Sequence, residues 1–162
     1  MSSNSLLSNR YFNKLYVNRL KAEKILINNI SETPSYLFSV IFENVTFTRD
    51  SAGGTLAFNL NEQNNNVIQF SDRPFRQSEN ITIIQFVSLF TSSGSNSFEK
   101  DPPNAVLTYS NEQQTYIVRL SKQNENSVIF NLELLPGETH NLDTVTGQMN
   151  FFVDSSKTAT AT

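Results

Sequence analysis

The sequence predicts an all-β fold: an antiparallel β-sandwich of jelly-roll-like form, with one short helix and an N-terminal extended arm. Three observations carry this. Runs of five to eight residues rich in Val, Ile, Phe, Tyr and Thr recur after residue 35, some with visible alternation, as in Val45-Thr-Phe-Thr and Leu56-Ala-Phe-Asn-Leu. Polar turn material separates them: Asp50-Ser-Ala-Gly-Gly, 61–66, Asn111-Glu-Gln-Gln, 122–126 and Pro136-Gly137. Finally, 13 Phe and 5 Tyr supply large apolar area where hydrophobic residues are only 38% of the chain, so the core should be aromatic.

Taken in order, strands are expected at 36–42, 45–48, 55–60, 67–70, 105–109, 115–120, 128–134 and 148–153. The inward residues should be Phe38, Phe42, Phe47, Phe58, Phe70, Phe86, Phe90, Ile117, Phe130 and Phe152. One helix interrupts the strands. Thr82 and Gln85 have capping-box spacing, and Ile83, Phe86, Val87 and Phe90 recur at helical intervals before Ser92-Ser-Gly-Ser ends the run. This helix should plug one end of the sandwich. A sandwich domain over 35–154 and a small, polar, frayed tail over 155–162 complete the expected organisation.

The first 34 residues read differently. Leu15, Leu20, Ile25 and Ile30 recur every five residues, with Val17, Ala22 and Ile27 two positions behind the first three. Arg19 interrupts the face that a helix would make of positions 15, 19 and 22, and the asparagines at 13, 18, 28 and 29 lower helix propensity. A spacing of two and then three suits short extended segments separated by kinks; an amphipathic helix packed on the domain is the other reading. Three repeats cannot bury their own stripe, so Leu15, Val17, Leu20, Ala22, Ile25, Ile27 and Ile30 are expected to make a homo-oligomer, a trimer. Residues 1–30 carry +4, which leaves −7 on the remaining 132: a basic arm on an acidic body.

The totals narrow the chemistry. The absence of cysteine excludes disulfides, thiolate metal sites and a Cys nucleophile. His140 is the single histidine, a poor metal signal, so no cofactor and no metal is expected. The stretch Met1–Phe12 is too polar for a signal-peptide core and no run reaches membrane-spanning length, which predicts no signal-directed secretion and no membrane partner. Basic and aromatic residues are not interleaved in the acidic body, so no nucleic-acid platform is expected there.

Two motifs concentrate charge, proline and aromatic residues beyond what strands and turns require: Phe70-Ser-Asp-Arg-Pro-Phe-Arg76 and Asp101-Pro-Pro-Asn-Ala105. Arg73 precedes a proline, which biases it to extended geometry, and with Arg76 it could present two guanidiniums to an anion. Asp72 could equally pair with Arg76 or with a turn amide and merely lock the strand exit. Asp72, Arg73, Arg76, Asp101 and Asn104 form the candidate binding cluster, with paired Asp72 and Asp101 as its conceivable hydrolytic use.

With the closing strand Phe151-Phe-Val-Asp154 and the opening strand at Tyr36-Leu-Phe-Ser-Val, these motifs resemble a family of uncharacterised small β-proteins of bacteria, fungi and large DNA viruses. Its pattern reads FSDRPxR, a helix, DPPNA and a final strand ending in Asp. The family's motif residues correspond to Asp72, Arg73, Pro74, Arg76, Asp101, Pro102, Pro103, Asn104 and Asp154, over roughly 36–154. No activity comes with the resemblance. The pentad arm resembles leaders of giant-virus structural proteins, which implies a non-enzymatic virion or assembly protein, located in the virion or host cytoplasm, with other virion proteins as further partners. A small-ligand-binding or hydrolytic β-module is the alternative.

Overall fold

In the computed structural model, which describes residues 34–63, 67–93 and 97–154, the elements are β1 Tyr36–Asp50, β2 Gly53–Asn59, β3 Val67–Ser71, β4 Ser78–Ile81, α1 Ile83–Ser88, β5 Asn104–Tyr109, β6 Glu112–Gln123, β7 Ser127–Leu134 and β8 Val145–Val153. The expected arm up to residue 33, its oligomerising residues, and the tail from residue 155 lie outside the described residues.

A change of phase in β1 determines the architecture. Phe38, Val40 and Phe42 are buried, and then Val45 and Phe47. Strand side chains alternate between faces, so burial can pass from even to odd positions only if one extra residue is inserted. The register against β8 shows it: Phe42 pairs with Met149, and the next pair is Val45 with Gly147. The strands expected separately at 36–42 and 45–48 are therefore one strand, bent by a bulge at Glu43 and Asn44.

The two halves of β1 have different neighbours. Residues 36–40 pair with β3 and residues 45–50 with β2, while both halves pair with β8. The order β2-β7-β6-β5-β8-β1 then closes on itself through the β1–β2 pairing. The result is a six-stranded antiparallel barrel, with β3 and β4 as a wing on the first half of β1. The expected sandwich or jelly-roll is thereby corrected to a barrel: one bent strand serves both the ring and the wing, so there are not two facing sheets.

Rings fill the barrel. Phe42 lies 4.6 Å from Phe58 and 5.8 Å from Phe151, and Phe130 lies 5.9 Å from Phe58. Helix α1 begins with the predicted capping box, Thr82 Oγ1 accepting from the Gln85 N–H at 3.0 Å and Gln85 Oε1 from the Thr82 N–H at 2.8 Å. Its Phe86, with Phe90 just beyond it, packs on Phe130 at 6.4 and 4.8 Å, and Phe86 also meets Phe38 at 5.7 Å. The helix thus covers the core where the wing departs.

The β1–β2 turn is tight. Asp50 Oδ1 accepts from the N–H groups of Ala52 and Gly53, each at 2.9 Å. Gly53 and Gly54, expected in the turn, already belong to β2, and a Cβ at Gly53 would lie 2.1 Å from the Leu132 carbonyl oxygen of β7. Only glycine allows so close an approach. Likewise Glu112 and Gln113, expected in a turn, start β6.

Three expected core residues are not fully inside. Phe70 and Ile117 are half-buried and Phe152 is 40% exposed. Since Phe151 points into the barrel, its neighbour must point out.

Candidate functional site

The first motif is the β3–β4 hairpin loop, and its polar groups hold the loop's own shape. Ser71 N–H donates to the Gln77 carbonyl and the Gln77 N–H to Ser71 Oγ, both at 2.9 Å. Ser71 Oγ donates in turn to the Phe75 carbonyl at 2.9 Å. Asp72 N–H donates to the Ser35 carbonyl at 2.8 Å, and its Oδ1 accepts from the Arg73 N–H at 2.8 Å. The Arg73–Pro74 peptide is cis. Asp72 thus engages a turn amide, one of the two structural uses expected of it. The guanidiniums of Arg73 and Arg76 project from an exposed loop, and neither has a carboxylate partner among the described residues.

The second motif leads into β5. The N–H groups of Lys100 and Asp101 close a turn on the Ser97 carbonyl at 3.1 and 2.8 Å, and Pro103 is buried with its carbonyl accepting from Val118 N–H at 3.0 Å. Asp101 is exposed, and Asn104 is exposed beside β8, its carbonyl accepting from the Asp154 N–H at 3.0 Å. The two motifs meet the sheet at the same end. Tyr36 pairs with Ser71 and Ala105 with Val153, so β1 and β8 stand between β3 and β5. Three strand spacings put those strands about 14 Å apart, and no hydrogen bond or ion pair joins the motifs among the described residues.

What gathers there instead is an apolar surface on the outside of the barrel. The register lines up Ile68, Ser39, Phe152, Val106 and Thr115 across β3, β1, β8, β5 and β6. In the flanking rows Phe70 pairs with Leu37 and Asn104 with Ile117, and Ile41 pairs with Asn150. Ile68 is 44% exposed, Ile41 38% and Phe152 40%, so three of the four large exposed hydrophobics among the described residues belong to this face. The Phe70 and Phe152 rings meet at 6.3 Å. A shallow pocket of about 240 Å³ there is lined by Phe152 itself together with Leu37, Asn104, Ala105, Val106, Thr115 and Asp154. The middle row carries no ionisable side chain, and the carboxylate of Asp154, at the end of β8, lines the pocket.

A second polar region lies at the β1–β2 end, in an open cleft of about 740 Å³ lined by Arg49, Asp50, Ser51, His140, Asp143 and Thr144. Its groups engage one another: Arg49 pairs with Asp143 at 2.6 Å, and the Arg49 N–H donates to Thr144 Oγ1 at 2.9 Å. Gln114, buried under the 135–144 loop, accepts from the Asn141 N–H at 2.6 Å. Two buried atoms have no protein partner among the described residues, His140 Nδ1 and the Tyr116 hydroxyl. Burial pushes the Tyr116 hydroxyl up to about 12, with Arg49 pulling it down and Asp50 adding to the rise. Among the described residues no three His, Cys, Asp or Glu side chains are placed to hold a metal ion. The pairing of Arg49 with Asp143 carried no signal in the sequence, because a salt bridge 94 positions apart leaves no local pattern.

No family model matches this chain, nor does any curated protein or solved structure.

Proposed function

We propose that the chain is a non-enzymatic structural or assembly protein, a component of a viral particle, whose β-barrel head is joined to copies of itself through the N-terminal arm. The observation that carries this reading is the outer face around Phe152. Its apolar side chains with few charges are the composition of a protein–protein contact surface. The pentad stripe of Leu15, Val17, Leu20, Ala22, Ile25, Ile27 and Ile30 supports a threefold arm, because identical stripes bury one another under closed symmetry. The resemblance to small β-proteins of large DNA viruses and to giant-virus leaders supports the setting, with other virion proteins as further partners in the virion or host cytoplasm.

Light scattering on the full chain, and on a chain beginning at Ser35, tests the arm. The full chain should contain trimers and the shorter chain should not. Leu20→Asp with Ile25→Asp should reproduce the loss in the full chain. A full chain that is monomeric at all concentrations overturns the reading.

A further inference from the structure

We propose that the open cleft at the β1–β2 end of the barrel binds a neutral sugar, with the Tyr116 hydroxyl and His140 Nδ1 at its floor and the Arg49–Asp143 pair at its wall. The site lies on the head alone, so it stands or falls separately from the reading of the arm and of the particle.

Strand β6 and the loop before β8 build the floor. Gln114 and Tyr116 are alternate residues of β6, both buried inside the barrel. Gln114 Oε1 accepts from the Asn141 N–H at 2.6 Å, which holds the loop beside His140 against the strand beside Tyr116. The Tyr116 ring packs on Phe47, two residues before Arg49, and the charges that act on its hydroxyl are those of Arg49 and Asp50. Arg49, Asp50 and His140 all line the cleft. The hydroxyl thus approaches the cleft from inside the barrel, and His140 from the loop. Both the hydroxyl and His140 Nδ1 are buried without a protein partner among the described residues. Buried polar atoms are almost always paired, so two orphans under one cleft mark a place where a second molecule completes the bonding.

Charge selects the class of ligand. The carboxylates of Asp50 and Asp143 oppose an anion, and the guanidinium of Arg49 opposes a cation. At the Tyr116 hydroxyl itself Arg49 and Asp50 pull in opposite directions. The pattern of donors and acceptors then favours hydroxyl groups, each of which does both. Tyr116 also donates and accepts, while the imidazole nitrogen does one or the other according to its tautomer. The 2.6 Å bond between Arg49 and Asp143 engages one guanidinium nitrogen and one carboxylate oxygen, so further donors and a second acceptor stand side by side, on side chains that still reach water. Neighbouring hydroxyls of a sugar ring match that pair. The Thr144 hydroxyl, which accepts from the Arg49 N–H at 2.9 Å, keeps its own proton to donate. At about 740 Å³ the cleft falls within the roughly 300–1,000 Å³ of small-ligand sites, room for one or two sugar rings.

His140 is the single histidine, so the nitrogen resonances of its imidazole in the full chain report on this cleft alone. The probes are the methyl glycosides of glucose, galactose and mannose and the disaccharides lactose and maltose, with inorganic phosphate as the anion and spermidine as the cation. At least one sugar should shift the Nδ1 resonance saturably, and phosphate and spermidine should not. A disaccharide that binds more tightly than the glycosides points to a glycan chain as the source of the ligand, and equal affinities to a free sugar. Tyr116→Phe and Asp143→Ala should each weaken binding about five-fold or more, the effect of losing one hydrogen bond to the ligand. Glu79→Gln, on β4 of the wing, should leave it unchanged. Circular dichroism melts check that each variant is folded, and with two site variants the test does not depend on either one alone. If no sugar shifts the resonance, water alone fills the cleft and the proposal is overturned. A saturable shift with phosphate or spermidine but with no sugar overturns it too, and so does sugar binding that neither site variant weakens.

Discussion

The side-chain amide of Gln63 completes the bulge at Asn44. Its Nε2 donates to the Asn44 carbonyl at 2.9 Å, and its Oε1 accepts from the Glu43 N–H at 2.9 Å. A bulge takes backbone groups out of the ladder, and here one side chain supplies both a donor and an acceptor. Because this bulge redirects β1 from β3 to β2, Gln63 supports the joint between wing and ring.

Gln63→Ala should therefore destabilise the protein by about 1–2 kcal/mol, the loss of two hydrogen bonds of which one is part-buried and one exposed. Gln63→Glu keeps the acceptor but loses the donor to Asn44, and should fall in between. Denaturant titration reads both; a Gln63→Ala variant within about 0.5 kcal/mol of wild type would show that the bulge holds itself.

The bulge also marks the limit of what was legible. Strand composition located all the barrel strands to within a few residues, and the Thr82–Gln85 spacing located the helix, because both are local signals. Strand β4, Ser78-Glu-Asn-Ile, was missed: it is short and mostly exposed, and has no apolar alternation. The closure of the ring was missed because it depends on one inserted residue and on pairings such as Thr46 with Thr146, a hundred positions apart. Of the candidate site, the self-locking of Asp72 was among the readings of its turn, whereas the spacing between the motifs depends on strand order and cannot be read along the chain. Phe151-Phe152 shows the ambiguity at its smallest: composition says that one ring is inside, and only register says which.

Truncating inner and outer rings should separate cleanly. Phe130→Ala removes a fully buried ring in contact with Phe58, Phe86, Phe90 and Phe151, and should cost about 3–5 kcal/mol. Phe152→Ala, measured on dissociated protein, should cost less than about 1.5 kcal/mol, since much of that ring is already in water. Equal losses by thermal unfolding would contradict the assignment of inside and outside.

Gly53→Ala should cost about 2 kcal/mol or more. The new methyl would meet the Leu132 carbonyl, and φ is +152° there, where an L-residue is strained. Gly137→Ala is the control for conformation alone: φ is +85°, but nothing lies within 4 Å, so the loss should be smaller. Matching losses at the two positions, read by denaturant midpoint, would mean that contact with β7 contributes nothing.

Tyr116 makes stability depend on alkaline pH in a defined direction. Its ring packs on Phe47 at 5.8 Å, while its hydroxyl is buried with no protein partner among the described residues. Burial penalises the phenolate and raises the pKa from 10.0 to about 12. The folded state therefore holds this proton more tightly than the unfolded chain does. The stability contributed by this preference is fully present below pH 10 and is lost as the pH rises towards and through 12, because the unfolded chain gives up the proton first. Tyr116→Phe removes that dependence and also removes a buried hydroxyl whose desolvation is not repaid by a protein hydrogen bond. At neutral pH the variant should be at least as stable as wild type, and its unfolding midpoint should decline less between pH 10 and 12. Lysines and the other tyrosines titrate in both proteins, so the difference between the two curves isolates Tyr116. Curves that run parallel across that window would show that the hydroxyl ionises no differently folded than unfolded.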